Sequence, residues 1–413
     1  MNAEIINIGD ELLIGQVVNT NASWMAEQLN LAGIHVVRMS VVADDREAIL
    51  GSLRQASTRA ELILITGGLG PTNDDITKLT LCEYFNCRLV FSEIAYADIE
   101  HLFHLRGWTV TEINRQQAEV PGGCTPLRNL NGTAPGMWFE KEGCIFVSLP
   151  GVPFEMKAMM EEVVIPRLAG RSGMVIRHKT VLTQGVGESF LAVQIREWED
   201  HLPKEIKLAY LPQPGIVRLR LTASGTDGDY LDRLINGQLD KLRQLIAEWI
   251  YGYDDETMGS IIGALLKKKG KTLATAESCT GGYIAHLLTL VPGSSAYFLG
   301  SVVAYDNRIK EEILQVSHKS ILESGAVSEI VVREMAEGAR KILKVDYAVA
   351  VSGIAGPDGG TPDKPVGTTW IAVATPTTIV TQKFMLGDHR ERNIHRAALT
   401  AMNLLRKELI RDC

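Results

Sequence analysis

A serine lies where an apolar run meets two glycines, in the stretch TLATAESCTGG at residues 272–282. The apolar run predicts a short strand and the following YIAHLLTLV predicts a helix, so the serine falls in a strand-to-helix turn. Amide hydrolysis needs a nucleophile, an acceptor for its proton and donors for the oxyanion. Ser278 could be the nucleophile, and the N–H groups of Thr280, Gly281 and Gly282 could be the donors. Because no G-x-S-x-G motif is present, the turn is not an α/β-hydrolase elbow.

The candidate base is Lys310, in VVAYDNRIKEEIL, since the nine histidines offer no clear partner. A Ser-Lys pair can replace Ser-His-Asp where burial lowers the lysine pKa. Tyr305, at the end of an apolar strand, could relay or orient the proton. The alternatives are that Ser278 caps a helix, that Lys310 is solvated and that Tyr305 is a core residue with an exposed hydroxyl. Cys279 is a rival nucleophile, although a cysteine without a neighbouring His is typically a small buried hydrophobe.

A second cluster combines glycines with acids, in TGGLGPTNDDIT after the strand that ends at Thr66. Glycines let backbone N–H groups approach a phosphate, and a helix start adds its positive dipole end. Asp74 and Asp75 could hold a divalent metal that bridges pyrophosphate oxygens. The alternative is structural, because Thr72-x-x-Asp75 matches a capping box and early acids favour a helix N-terminus.

The stretch GDELLIGQVVNTN places three more polar residues after the first strand, namely Asp10, Glu11 and Asn19. Ligands of open α/β sheets bind beyond the carboxyl ends of the strands, so these residues are predicted to join the same site. The alternative for Asn19 is a helix N-cap.

Composition limits the class of protein. The 413 residues are 46% hydrophobic and 22% charged, with a formal net charge of −7, which is typical of a globular protein and argues against a nucleic-acid partner. No apolar run of ~18 residues and no secretory leader pattern is present, so we expect a cytoplasmic protein without a membrane span. The six cysteines form no C-x-x-C pair, which argues against a zinc knuckle or redox motif.

The chain divides into three predicted domains, all of α/β type. Residues 1–170 alternate strands and helices, which predicts a parallel sheet covered on both faces. Residues 171–252 form a small α+β domain. Residues 253–413 form another α/β domain, and the polar stretch YGYDDET at 251–257 marks the boundary.

The N-terminal motifs GDELLIGQVVNTN, VVADD, TGGLGPTNDDIT, NGTAPGM and LPGVPFEM resemble the N-terminal domain of the CinA family, the competence/damage-inducible proteins. That domain is similar to the three-layer molybdopterin-binding fold, and the resemblance implies metal-dependent ADP-ribose pyrophosphatase activity with Mg, Co or Mn left open. It implies nucleotide contacts from Asn19, Gly67, Gly68 and Thr72. It implies metal ligands among Asp74, Asp75, Asp10 and Glu11.

The C-terminal motifs TLATAESCTGG, GSVVAYDNRIKEEIL and AVAVSGIAGPDGGTPDKPVGTTWIA resemble the CinA C-terminal domain, which is similar to stand-alone nicotinamide mononucleotide deamidases. The resemblance implies a cofactor-independent amidase in which Ser278 attacks, Lys310 is the base and Tyr305 assists. The implied substrate contacts are Thr280, Gly281, Gly282, Ser352, Gly353, Gly359, Gly360, Thr361, Arg390 and Arg396. The run GDHRERNIHR departs from the family's usual Gly-Asp-Arg, which leaves the phosphate-binding arginine open.

The resulting hypothesis is a hydrolase of pyridine-nucleotide recycling. It would deamidate nicotinamide mononucleotide to nicotinate mononucleotide and ammonia, and cleave ADP-ribose. Its partners would be these small nucleotides and further copies of the chain, most simply in a dimer. The alternatives are a pterin-binding protein and a non-catalytic scaffold for competence or DNA damage.

Overall fold

The computed structural model describes residues 1–72, 74–171 and 173–412. The chain is mixed α/β, which confirms the predicted fold class. It forms two compact units. The first contains Met1–Arg177 and Ala223–Asp232, and the second contains His178–Thr222 and the chain from Arg233 onward. None of the helices in the described ranges combines the length and hydropathy needed to cross a lipid bilayer.

The N-terminal domain is built on a six-stranded sheet of order β2-β1-β3-β8-β7-β6. Its strands, with the separate pair β4 and β5, are β1 (Asn2–Ile8), β2 (His35–Val42), β3 (Leu62–Thr66), β4 (Leu89–Phe91), β5 (Glu119–Pro121), β6 (Thr125–Leu127), β7 (Gly136–Lys141) and β8 (Cys144–Leu149). Its helices are α1 (Asp10–Leu13), α2 (Thr20–Leu31), α3 (Arg46–Ala56), α4 (Thr77–Tyr84), α5 (Glu93–Leu105), α6 (Glu112–Gln116), α7 (Pro153–Met159) and α8 (Ile165–Leu168), the last two joined by a π-helical segment, Met160–Val164.

The central strand β3 is apolar throughout because both faces of the sheet are covered. Leu62 and Leu64 join the core on one face, while Ile63 and Ile65 join the core on the other. Strands β2, β1, β3 and β8 pair in parallel, as predicted, whereas β7 and β6 are antiparallel. The parallel strands end at one edge, which is where the glycine and acid loops emerge.

The middle domain has a four-stranded sheet of order β10-β11-β9-β12 and two helices. Its elements are β9 (Val175–Gln184), α9 (Glu188–Asp200), β10 (Ile206–Gln213), β11 (Ile216–Gly225), α10 (Gly228–Ile246) and β12 (Ile250–Tyr253). Strand β12 pairs antiparallel with β9, so the stretch predicted as a polar boundary begins inside this sheet. Thr257 then caps the next helix.

The C-terminal domain is built on a five-stranded sheet of order β14-β13-β15-β16-β17. Its strands are β13 (Leu273–Glu277), β14 (Phe298–Val303), β15 (Tyr347–Gly353), β16 (Thr368–Ala374) and β17 (Ile379–Met385). Its helices are α11 (Met258–Lys269), α12 (Tyr283–Thr289), α13 (Asn307–Glu312), α14 (His318–Ser324), α15 (Glu329–Ile342) and α16 (Arg390–Arg411), with a 3-10 turn at Ser294–Ala296.

The two faces of this sheet differ in side-chain size. In β15, Tyr347, Val349 and Val351 join one core, while Ala348 and Ala350 join the core of the opposite face. Because β13, β14 and β15 are parallel, their carboxyl ends share one edge, and this edge carries the turn that contains the candidate nucleophile.

Candidate active sites

The serine turn is held by its backbone. Ser278 is 9% exposed, and its N–H donates to the carbonyl of Val351 at 2.9 Å. The N–H of Gly281 donates back to the carbonyl of Ser278 at 3.1 Å. Gly281 (φ 59°) and Gly282 (φ 96°) are both left-handed, a conformation that favours glycine. The two glycines therefore turn the chain from β13 into α12.

The group that caps α12 is Glu277. Its carboxylate is fully buried and accepts hydrogen bonds from the N–H groups of Gly282 (3.1 Å), Ile284 (3.0 Å) and Ala285 (2.8 Å). In the part of the chain that the structure describes, the hydroxyl of Ser278 makes no hydrogen bond. The capping alternative for Ser278 is therefore wrong, because its neighbour already performs that role.

This division of roles predicts a large loss of stability for one residue and almost none for its neighbour. Glu277→Ala is expected to lower the free energy of unfolding by about 3 kcal/mol, because buried N–H groups lose a charged acceptor. Ser278→Ala, the matched neighbour, removes no hydrogen bond found here and is expected to leave stability nearly unchanged. Urea titration of both variants measures the difference. Equal destabilisation by the two changes would contradict this assignment.

Two of the three predicted oxyanion donors are occupied. The N–H of Gly281 donates to Ser278, and that of Gly282 donates to Glu277, so neither can serve without breaking a bond of the turn. Among the described residues, neither the N–H of Thr280 nor that of Cys279 donates to another residue. The N–H groups of Cys279 and Thr280 are therefore the candidate oxyanion donors that this turn leaves unused, while the roles of Gly281 and Gly282 at the substrate stay predictions.

Lys310 is a buried cation. The residue is 1% exposed, and its Nζ donates hydrogen bonds to the carbonyls of Ala304 (2.8 Å) and Tyr305 (3.2 Å). Burial lowers the pKa of Lys310, and the negative charge of Asp306 only partly opposes that shift. No ion pair to Lys310 is found in the described ranges. The solvated-lysine alternative is therefore wrong.

Cys279 is also buried, and burial raises its pKa to about 12. The nearby positive charges of Lys310 and Arg390 oppose that shift, which places both cations around the thiol. A Cβ on Gly353 would come within 3.0 Å of its Sγ, so that glycine makes room for it. Because such a thiol is protonated at neutral pH, Cys279 is a poor nucleophile.

Tyr305 lies at the rim rather than beside the lysine amine. It is 62% exposed, and its hydroxyl accepts a hydrogen bond from Nη2 of Arg390 at 3.0 Å. Nη1 of Arg390 donates to the carbonyl of Gly356 at 2.7 Å. Lys310 contacts only the backbone carbonyl of Tyr305 in the hydrogen bonds found here. The hydroxyl is thus paired with an arginine, which favours a binding role over a proton relay.

The loop from 352 to 361 splits into structural and exposed parts. The hydroxyl of Ser352, which is 1% exposed, donates to the carbonyl of Ala326 at 2.8 Å. Gly359, Gly360 and Thr361 are exposed on the loop. Ser352 therefore holds the fold, and the exposed part remains the predicted substrate contact.

The two predicted phosphate-binding arginines lie on different surfaces. Arg390 contacts Tyr305 and the loop at Gly356. Arg396 donates to the carbonyl of Leu386 at 2.6 Å and lines a cleft against the middle domain. Six positions separate them on α16, and at 100° a residue this places them on different faces of the helix. Arg390 is the arginine that the structure brings to the serine site.

The N-terminal site is a cavity of about 340 Å³ at the carboxyl edge of the parallel strands. The predicted site residues on its wall are Glu11, Asn19, Gly67, Gly68, Asp74 and Asp75. Asp10 pairs with the adjacent Asp44, its N–H donating to that carboxylate at 3.0 Å. Thr72 donates to Asp75 through both its N–H and its hydroxyl, so it positions that acid.

Both glycines of the loop are required by close contacts. A Cβ on Gly67 would lie 2.1 Å from the carbonyl oxygen of Ile8, and one on Gly68 would lie 2.1 Å from Oγ1 of Thr77. Their φ values, 110° and 65°, are also left-handed. The loop can therefore bring its backbone close to a ligand, as a phosphate-binding loop does.

Asp74 and Asp75 do not cap α4. That helix begins at Thr77, and its N-cap Ile76 makes no side-chain capping bond. The two acids stand in the turn that precedes the helix, on the cavity wall.

Sequence reasoning missed Asp44, which also lines the cavity. Burial raises its pKa, and the negative charges of Asp10, Glu11 and Asp74 raise it further. The sequence feature that could have identified Asp44 is its position two residues after β2, in the stretch VVADD. Its neighbour Asp45 instead caps α3 by accepting from the N–H of Ala48 at 2.9 Å.

The cavity fits a divalent ion by its donor chemistry. Mutually repelling carboxylates are what a cation stabilises, and Mg²⁺ takes one or two carboxylates together with water and substrate phosphate oxygens. No three acidic, His or Cys side chains of the described ranges converge as a ready-made metal site. Any ion here would therefore be completed by substrate oxygens and water.

Two asparagines add unsatisfied acceptors to the same cavity. Asn7 is 1% exposed, and its Oδ1 has no hydrogen-bond partner; the buried Oδ1 of Asn21 likewise has none. No partner for either oxygen is found among the residues that the structure describes. Asn19 caps α2 by accepting from the N–H of Ala22 at 3.1 Å, which confirms the structural alternative for this residue.

Three family models match the chain in succession. They are described as "Probable molybdopterin binding domain" over residues 4–170, "Damage-inducible protein CinA KH domain" over 178–252 and "CinA C-terminal domain" over 255–409. They give the middle α+β domain an identity that sequence reasoning did not supply.

Curated relatives match over nearly the whole chain. The "CinA-like protein" of Cytophaga hutchinsonii is 49% identical over 98% of both chains, and that of Flavobacterium psychrophilum is 46% identical over 100% of this chain and 99% of the relative. The "Putative competence-damage inducible protein" of Caldanaerobacter subterraneus is 43% identical over 99% of this chain and 98% of the relative. The chain therefore belongs to the CinA family, with a molybdopterin-binding-like N-terminal domain, a KH domain and a CinA C-terminal domain.

Proposed function

We propose that the C-terminal domain deamidates nicotinamide mononucleotide to nicotinate mononucleotide and ammonia. The observation that carries the proposal is Lys310, a buried lysine of lowered pKa beside the turn of Ser278, with no ion-pair partner among the described residues. Because burial lowers its pKa, a larger share of this lysine than of a solvated one is neutral at a given pH, and the neutral amine can accept a proton.

In the proposed mechanism, Ser278 attacks the carboxamide carbon while Lys310 accepts the hydroxyl proton. The C–O bond forms, and the carbonyl oxygen becomes an oxyanion that can accept from the N–H groups of Cys279 and Thr280. Lys310 returns the proton to the nitrogen, the C–N bond breaks and ammonia leaves. Water then attacks the ester carbon while Lys310 accepts its proton. The bond between that carbon and Oγ of Ser278 breaks, Lys310 returns the proton to Ser278, and the carboxylate product leaves.

The pair of Tyr305 and Arg390 supports a nucleotide as the substrate. Arg390 donates one hydrogen bond to the hydroxyl of Tyr305 and one to the carbonyl of Gly356. A guanidinium has five N–H donors, so others can bind a ligand at the rim. A guanidinium held in this way suits a phosphate. We assign the phosphate to Arg390 rather than to Arg396.

The direct test of the activity is ammonia release from nicotinamide mononucleotide by the full-length protein with EDTA present. The proposal expects turnover that EDTA does not change, with nicotinate mononucleotide formed in equal amount. Activity that appears only after a divalent metal is added would contradict the assignment of the reaction to a serine and a lysine.

We propose that the N-terminal domain binds ADP-ribose and hydrolyses its pyrophosphate to AMP and ribose 5-phosphate. The glycine loop at Gly67 and Gly68 would contact a phosphate, and Asp44 and Asp74 with their neighbours would hold a divalent ion. When bound, such an ion would neutralise the pyrophosphate oxygens and stabilise the leaving phosphate. Nicotinamide mononucleotide and ADP-ribose both belong to pyridine-nucleotide recycling. We further propose that the protein acts as a homo-oligomer in the cytoplasm.

Replacing both Asp74 and Asp75 by Asn is expected to lower ADP-ribose hydrolysis at least 100-fold and to leave ammonia release unchanged. The physical reason is that neutral amides bind a divalent cation far more weakly than carboxylates. Assays with Mg²⁺, Mn²⁺ and Co²⁺ measure the loss. Asp45→Asn is the matched control, since Asp45 caps α3 and Asn caps equally well. Unchanged hydrolysis by the double variant would contradict the metal assignment.

A further inference from the structure

A second cavity lies within the second compact unit, between the KH domain and the C-terminal domain, and neither proposed reaction uses it. Its volume is about 720 Å³, inside the range of about 300–1,000 Å³ that small-molecule sites occupy. The KH side supplies the loop 184–188, the hairpin turn 212–217 and Trp249. The C-terminal side supplies residues of β17 and one face of α16.

The floor of this interdomain cleft is a buried polar network. Gln184 (5% exposed) accepts a hydrogen bond from the amide of Asn403 (7% exposed) and donates to Thr400 at 3.3 Å. Nε of Arg406 donates to Asn403 at 2.9 Å. The network joins the two domains across the bottom of the cleft, so the cavity has a fixed base and is not a gap between loosely packed parts.

One wall of the cleft is cationic. Arg396 and Lys407 line it, and within the described ranges neither forms an ion pair. Arg396, Thr400, Asn403 and Lys407 follow each other at spacings of four, three and four, which puts them on one face of α16. Glu188 is the acidic residue of the lining, so the lining carries a net positive charge. This wall suits an anion.

The opposite wall offers backbone donors and an aromatic ring. No hydrogen bond from the N–H groups of Gly185, Val186 and Gly187 is found in the described ranges, and added Cβ atoms on the two glycines would meet open space. Trp249 is held by Phe190 in an edge-to-face contact with ring centroids 5.6 Å apart. An oriented indole on the wall can stack on a planar ring.

We propose that this interdomain cleft binds a nucleotide. The phosphate would lie between Arg396, Lys407 and the loop 185–187, and the base would lie against Trp249. The site is distinct from both proposed active sites. Arg390, which serves the serine site, begins the same helix that carries Arg396 and Lys407. A nucleotide in the cleft would therefore bear directly on the helix that positions Arg390.

The test is hydrogen–deuterium exchange of the full-length protein with AMP as the probe, because peptides report each site separately. The expected result is slower exchange in peptides covering 184–190 and 396–407. Lys407→Ala, an exposed position, and Arg396→Gln should each raise the AMP concentration for half-protection at least tenfold. Arg392→Gln, an exposed arginine of the same helix outside the cleft, is the matched control and should have no effect.

Two further arms test the class of ligand. Inorganic phosphate alone and adenosine alone should each protect the cleft peptides at least tenfold more weakly than AMP, because each has half of the contacts. Equal protection by phosphate would overturn the assignment to a nucleotide. Absence of protection in the cleft peptides at millimolar AMP would overturn the site itself, whatever happens at the other two sites.

Discussion

Ser278→Ala is expected to lower the rate of ammonia release from nicotinamide mononucleotide by about 10³-fold or more, as loss of a covalent nucleophile does. The melting temperature should barely change, because Glu277 carries the capping bonds of α12. Substrate affinity should also survive, since Arg390 and Tyr305 are untouched. Measured together, the rate, the melting temperature and the binding constant separate a chemical role from a structural one.

Cys279→Ala is the control for this prediction. Burial raises the pKa of its thiol to about 12, so the thiol is protonated at neutral pH. Replacing it should therefore reduce the rate of ammonia release only mildly, through a small change in packing around Ser278. Full activity in the Ser278→Ala protein would remove the serine from the mechanism. A collapse of activity in Cys279→Ala alone would transfer the role to the thiol.

Lys310→Met is expected to lower the same rate by about 10²–10⁴-fold near neutral pH, the usual contribution of a general base. At high pH the variant should partly recover, because more serine ionises without assistance. In the unsubstituted protein the rate should rise with pH through the lowered pKa of Lys310, since its neutral form is the base. A pH–rate profile of both proteins measures this, with Lys319→Met, an exposed lysine of α14, as the control.

The lowered pKa of Lys310 also makes the stability of the fold depend on pH. Between the folded pKa of Lys310 and its ordinary value, the unfolded chain binds more protons than the folded one. The contribution of Lys310 to the free energy of unfolding therefore increases as pH rises across that window. The variant Lys310→Met should lose this pH dependence. A wild-type profile flat in this window, or a variant that keeps the slope, would contradict the buried-lysine assignment.

Much of the serine site could be predicted from local sequence. The apolar run, the two glycines and the following helical pattern located the turn, and the structure places Ser278 there. The role of Glu277 could not be predicted in the same way. An acid one residue before the turn resembles any solvent-facing side chain until the fold buries it against the N–H groups of α12.

What the sequence left open or missed depends on contacts that only the tertiary fold defines. The sequence could not choose between Arg390 and Arg396 as the phosphate-binding residue, because only the fold shows that they face different surfaces. Asp44 was missed because its neighbours in the cavity, Glu11 and Asp74, are distant in sequence. The parallel strands bring those acids together at one edge, which a pattern of hydrophobicity cannot specify.

The most direct test of catalysis by Ser278 is to detect an acyl ester on its hydroxyl. Full-length protein is mixed with excess nicotinamide mononucleotide, quenched in acid within the first turnover and digested for peptide mass spectrometry. The peptide containing Ser278 is expected to carry the nicotinate mononucleotide acyl group, and the modification should be absent from Ser278→Ala protein. An acyl group on Cys279, or one full equivalent of ammonia released with Ser278 unmodified, would contradict it.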